Sequence, residues 1–137
     1  MALSGNVALL QVFDMPTALT FYRDKLGFAV VSASPEVETP EGRFSHWMWL
    51  RRDASEVMLN TAYDSGERPA ARDAARWAGH GDTCIFIDCD DVDALWRELS
   101  AAGVDCAPPR DAPYGMRQLH LADPDGYRLC FQHSIAS

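Results

Sequence analysis

The alternation of apolar and polar residues divides the chain into strand-length and helix-length pieces. Residues 6–13 (NVALLQVF) form a short apolar run of strand length. Asp14 follows at the position of an N-cap, and Ala18, Leu19, Tyr22 and Leu26 recur at helical spacing. Gly27 then predicts a left-handed helix stop. Residues 28–34 read as a second strand, and residues 35–42, with two prolines and three glutamates, read as a loop. Residues 45–50 (SHWMWL) and 56–60 (EVMLN) predict a hairpin about the turn 51–55. The polar, alanine-rich stretch 63–81 reads as a long connection with a short helix around 70–77.

The second half repeats this order. Residues 83–88 (TCIFID) predict a strand, and 91–102 an amphipathic helix with Val92, Leu95, Trp96 and Leu99 on one face, stopped by Gly103. Residues 104–107 read as a short strand before Pro108-Pro109. Residues 115–122 and 127–132 flank Asp123-Pro124-Asp125-Gly126, a sequence with strong hairpin-turn chemistry. Ala18-Leu19 matches Ala94-Leu95, and Gly27 matches Gly103, at one constant offset. The expected fold is α+β, built from two βαβββ modules at about 5–62 and 82–133 within a single domain spanning 1–137.

Composition narrows the function classes. A length of 137 residues suits one domain, and 47% hydrophobic with 23% charged residues is ordinary for a globular chain. A net charge of −8 speaks against a nucleic-acid partner and suits either a cationic ligand or solubility alone. No apolar run approaches the ~18 residues of a membrane span, and residues 1–13 lack a basic leader region. A cytoplasmic location without membrane partners is the expectation. Cys84, Cys89, Cys106 and Cys130 form no C-x-x-C pair and read as reduced thiols in apolar segments.

Three pieces carry a family likeness: Asp14 with Ala18-Leu19-Thr20-Phe21-Tyr22-Arg23-Asp24-Lys25-Leu26-Gly27-Phe28, then Gly115-Met116-Arg117, then Asp123-Pro124-Asp125-Gly126-Tyr127. They resemble the vicinal-oxygen-chelate superfamily, which includes glyoxalase I, extradiol dioxygenases, thiol-transferring fosfomycin-resistance enzymes and bleomycin-resistance proteins. The resemblance implies mixed sheets curled around one open cleft, and a homodimer. Metal-dependent members place His, His or Gln, and Glu at set points on cleft-facing strands. Counted from the motifs, those points fall at Val7, Met58, Cys84 (Thr83 if the register slips by one) and Cys130. None is His, Glu or Gln, so neither a metal nor another cofactor is expected. The implied function is that of the metal-free, bleomycin-resistance-like branch: binding and sequestering a small molecule. The alternative is a diverged metal-dependent lyase, dioxygenase or thiol transferase, or a metal-independent isomerase or hydrolase, so enzymatic activity stays open at this point. An interaction module with a vestigial cleft is a third reading.

Strand alternation assigns residues to the cleft. Val7, Leu9 and Gln11 share one face of the first strand, and Glu56, Met58 and Asn60 follow on the hairpin. Cys84, Phe86 and Asp88, Gln118 and His120, and Arg128, Cys130 and Gln132 follow in the second module. Trp47 and Trp49 share a face and offer planar area for a flat or cationic ligand, or else fill a dimer interface or a core. The expected ligand-binding set is Trp47, Trp49, Glu56, Met58, Phe86, Asp88, Tyr114, Gln118, His120 and Arg128. Glu56 and Asp88 would favour a cationic group. Tyr114 either touches ligand or caps its strand. His120 is the one candidate general base, acting with Glu56, or else a satisfied polar residue. Cys84 and Cys130 are either a soft-metal or redox pair or inert lining.

Overall fold

The computed structural model describes residues 1–135, which fall into two compact units, the first ending at Arg72 and the second beginning at Asp73. In the first unit, β1 (Ala8–Val12) leads into helix α1 (Met15–Leu19), which continues as a π-helical segment (Thr20–Lys25). Then come β2 (Ala29–Ala33), β3 (Val37–Thr39), β4 (Gly42–Phe44), β5 (Trp47–Arg52) and β6 (Ser55–Thr61). The sheet order is β1-β6-β5-β2; β1 and β6 run parallel and the other pairs antiparallel. Asp14 caps α1, its carboxylate accepting from the Thr17 N–H at 3.0 Å. Met15, Ala18, Phe21, Tyr22 and Leu26 are buried, as are Leu10, Val12, Leu50, Val57 and Leu59 on the strands. Those strand residues alternate with the ones facing away from the helix, so the core lies on one side of the sheet only.

The second unit repeats the topology: α2 (Ala74–His80), β7 (Cys84–Asp88), α3 (Val92–Ala101), β8 (Arg110–Asp111), β9 (Met116–Ala122) and β10 (Arg128–Ser134). Its sheet order is β7-β10-β9-β8, again with the outer pair β7 and β10 parallel. Val92, Leu95 and Leu99 of α3 are buried together with Leu119, Leu121, Leu129 and Phe131. The β9–β10 turn is held by Asp123, whose carboxylate accepts from the N–H groups of Asp125 at 2.8 Å and Tyr127 at 2.9 Å.

The α+β class and the repeated βαβββ order are therefore present. Several local expectations are corrected. Residues 35–42 are no plain loop, because Val37–Thr39 pairs with Gly42–Phe44 as a separate two-stranded hairpin. Residues 104–107 form no strand; β8 lies beyond Pro108-Pro109, whose rings supply no N–H for pairing. The helix expected near 70–77 starts after its Asp73 cap and runs to His80. β5 reaches Arg52, so the hairpin turn shrinks to Asp53-Ala54, with Asp53 at φ +51°. The repeat offset is not constant either: the caps Asp14 and Asp91 are 77 positions apart, but Gly27 and Gly103 are 76. The first helix carries one extra residue and absorbs it in its π-helical turn, where the Leu26 N–H reaches five residues back to the Phe21 carbonyl at 2.9 Å.

Candidate functional site

Each unit presents one sheet face that its helix does not cover. In the first unit the strand registers set side chains in rows: Leu9, Met58 and Trp49 in one, Gln11, Asn60 and Trp47 in the next, and Glu56 beside Arg51 in a third. Trp47 and Trp49 do share this face, and both are half-buried, while Leu9 is 46% exposed. Asn60 donates to Gln11 Oε1 at 3.3 Å. The Trp49 Nε1 atom is buried with no hydrogen-bond partner among the described residues. Glu56 is not a free acid: the Arg51 guanidinium lies 2.7 Å from its carboxylate. Arg51, expected in the turn, instead pairs across the hairpin from Glu56, and antiparallel pairing is the signal that finds it. Val7 precedes β1, and Leu9 is the residue paired with Met58.

In the second unit the rows are Cys84, Arg128 and Ala122; Phe86, Cys130 and His120; and Asp88, Gln132 and Gln118. Cys84 pairs with Arg128, and Thr83 lies just before the strand. Phe86 is 54% exposed, midway along the edge strand β7. Gln118, only 6% exposed, joins the polar groups: its Nε2 donates to the Tyr114 phenol oxygen at 2.8 Å and to Gln132 Oε1 at 3.1 Å, and its Oε1 faces His120 Nε2 at 3.1 Å. Tyr114 is thereby tied to this face although its ring is exposed. Cys130 Sγ lies 3.8 Å from the same His120 nitrogen.

Electrostatics decides what this thiol and imidazole can do. Burial, then the neighbouring Cys84, pushes the Cys130 thiol up to about 11, with Arg128 opposing weakly. Partial desolvation, opposed by Arg128, also raises the exposed Cys84. Partial desolvation, then Arg128 and Arg110, lowers the largely exposed His120 imidazole below its ordinary 6.5. At neutral pH the pair is thus a neutral thiol beside a neutral imidazole, not a thiolate–imidazolium nucleophile. At the end of β7 an open groove of about 510 Å³ is lined by Asp88, Cys89, Asp90, Met116, Gln132, His133 and Ser134.

The family described as Glyoxalase/Bleomycin resistance protein/Dioxygenase superfamily matches residues 5–131. The chain belongs to this superfamily. No curated protein sequence matches it. Among solved structures of the same fold is TnmS3, an antibiotic binding protein from Streptomyces sp. CB03234, at 24% identity and TM-score 0.65 over 98% of each chain. A glyoxalase/bleomycin resistance protein from the same organism is 26% identical over 93% of this chain and 100% of its own, with TM-score 0.62. The bleomycin-binding protein of Streptomyces verticillus, solved with copper(II)-bleomycin, is 21% identical over 96% of each chain, with TM-score 0.67.

The resemblance puts the superfamily's metal points at Val7, Met58, Cys84 and Cys130. In the first unit Val7 offers no donor atom and Met58 only a thioether. In the second, Cys84 and Cys130 are thiols held towards the protonated form. No group of three His, Cys, Asp or Glu side chains placed to hold a metal ion occurs among the described residues. These donors do not fit a hard divalent ion, which needs carboxylate or imidazole ligands. Likewise, no helix among the described residues is long and apolar enough to cross a membrane.

Proposed function

We propose that this protein binds a flat small molecule and sequesters it without a metal and without chemical conversion. The observation that carries the reading is the uncovered sheet face holding Trp47 and Trp49 beside Met58 and Leu9. Two indoles on alternate positions of one strand offer stacking surface to a planar ring system, and Met58 can repack around it. Antibiotic binding in TnmS3 and bleomycin binding in the Streptomyces verticillus protein support the same class of ligand here. The unsuitable donor set supports the metal-free form of the reading. On the tryptophan-bearing face Glu56 offers little to a cationic group, because Arg51 already meets its charge.

The test is a titration with proflavine, a planar cation, and with metal-free bleomycin, both in excess chelator, followed by tryptophan fluorescence and thermal unfolding. Saturable quenching with a rise in Tm is expected, because a ligand that binds only the folded state stabilises it by mass action. A response seen only after a divalent metal is added would overturn the metal-free reading. No response to either compound would overturn the flat-ligand reading.

A further inference from the structure

The hydrogen bonds around Gln118 determine which nitrogen of His120 carries the proton. A side-chain amide has two N–H donors and one carbonyl acceptor. Gln118 spends both donors, one on the Tyr114 phenol oxygen at 2.8 Å and one on Gln132 Oε1 at 3.1 Å. Its carbonyl oxygen is what remains to face His120 Nε2 at 3.1 Å. A carbonyl has no proton to give, so Nε2 is the protonated nitrogen and donates. In a neutral imidazole the other nitrogen is then an acceptor. His120 Nδ1 has no hydrogen-bond partner among the described residues, and the residue is exposed.

We propose that Gln118 is a positioning residue that locks His120 as its Nε2–H tautomer, making Nδ1 a fixed acceptor for a hydrogen-bond donor on the ligand. The ligand class this selects is a planar ring carrying an edge hydroxyl or N–H, wide enough to reach the exposed Phe86 ring two strands away in the same row, beyond Cys130. Gln118 is suited to the task because it is buried and joined to two further strand or loop residues, so its amide is not free to rotate. The charged and titratable groups around His120 are Arg128 and Arg110, which favour the neutral ring, and Cys130, which stays protonated. The ligand part of this inference rests on the binding reading above; the tautomer part does not.

Two measurements separate those parts. Nitrogen NMR on histidine-labelled protein at pH 7.5 should show a pyrrole-type Nε2 and a pyridine-type Nδ1 for His120. Gln118→Glu keeps an acceptor at that point and should keep the pattern. Gln118→Met removes the acceptor and should give tautomer-averaged signals. A pyridine-type Nε2 in the unaltered protein, or no change in Gln118→Met, would overturn the lock. For the ligand, 2-naphthol and 2-methoxynaphthalene differ in one donor hydrogen. The naphthol should bind about fivefold tighter, the scale of one neutral hydrogen bond. That preference should disappear as His120 takes up its proton, disappear in His120→Phe, and persist without pH dependence in His120→Asn. Equal affinity for the two compounds, or binding of neither, would overturn the acceptor role. Proflavine quenching of tryptophan in the same samples reports the flat-ligand reading independently.

Discussion

The backbone carbonyl of Trp77 stands where a side chain on Gly126 would begin. Gly126 also has φ +87°, a left-handed value, in the turn between β9 and β10. Helix α2 is fastened over this turn by Trp77 Nε1, which donates to the Pro124 carbonyl at 3.1 Å, and by His80 Nδ1, 2.7 Å from the Asp125 carbonyl. The His80 ring stacks on Tyr127 at 4.0 Å. Gly103 has nearly the same φ, +86°, but open space where its side chain would be. Gly103→Ala should therefore cost only the conformational penalty, about 1–2 kcal/mol. Gly126→Ala should cost a further ~1–3 kcal/mol for overpacking against Trp77. Urea unfolding of the two variants checks this; equal losses would mean that α2 can lift off without cost.

Stability should depend on pH through His120 and Asp14, on different limbs. The His120 imidazole is lowered from 6.5 in the fold, so just below that pH the unfolded chain binds more protons. Its contribution is complete above 6.5 and is lost as pH falls towards the folded value. Asp14 is buried enough to oppose ionisation, but hydrogen bonds from Thr17 and Arg68 outweigh this and hold its carboxyl below 3.8. Its contribution is present above 3.8 and is lost at lower pH. In urea melts at a series of pH values, His120→Asn should flatten the first limb and Asp14→Asn the second. An unchanged slope in either variant would contradict the assignment.

Trp47→Ala and Trp49→Ala should each weaken proflavine binding by about tenfold, equivalent to ~1.4 kcal/mol of lost stacking and burial. Arg51→Gln should act the other way. It leaves Glu56 as an unpaired carboxylate on the same face and should tighten proflavine binding by about threefold at low salt, with the gain shrinking as salt is added. Isothermal titration of the three variants measures both effects.

Cys130 should be inert. With its thiol near 11, the thiolate fraction at pH 7.5 is roughly a hundredfold below that of an ordinary exposed cysteine. Site-resolved mass spectrometry after iodoacetamide treatment should find Cys130 unmodified while the protein stays folded. Rapid alkylation there would indicate an activated thiol and reopen the enzymatic readings.

Much of this architecture was legible in the residues because burial enforces periodicity. Alternation along 8–12, 55–61 and 128–134 identified the uncovered faces, and Trp47 with Trp49, Phe86, Gln118 and His120 lie where that alternation placed them. The exceptions have physical causes. The β3–β4 hairpin is short, exposed and rich in charge, so no apolar pattern marks it; Arg43 holds Glu36 and Glu38 at 3.0 and 2.9 Å across it. The extra residue in the first helix is invisible to spacing arguments because a π-helical turn absorbs it without disturbing either end.

Period and chemistry in the sequence alone determined the two strand–helix–strand repeats, the caps at Asp14 and Asp91, and the left-handed stops at Gly27 and Gly103. Those features are local, set by contacts a few residues apart or by side-chain type. Tertiary structure decided which groups neutralise, orient or block one another. Gln118 governs His120 only because Tyr114 and Gln132 are brought to its amide, and Trp77 excludes a side chain at Gly126 from 49 residues away. Such relationships depend on register and distance between elements, which no single segment encodes.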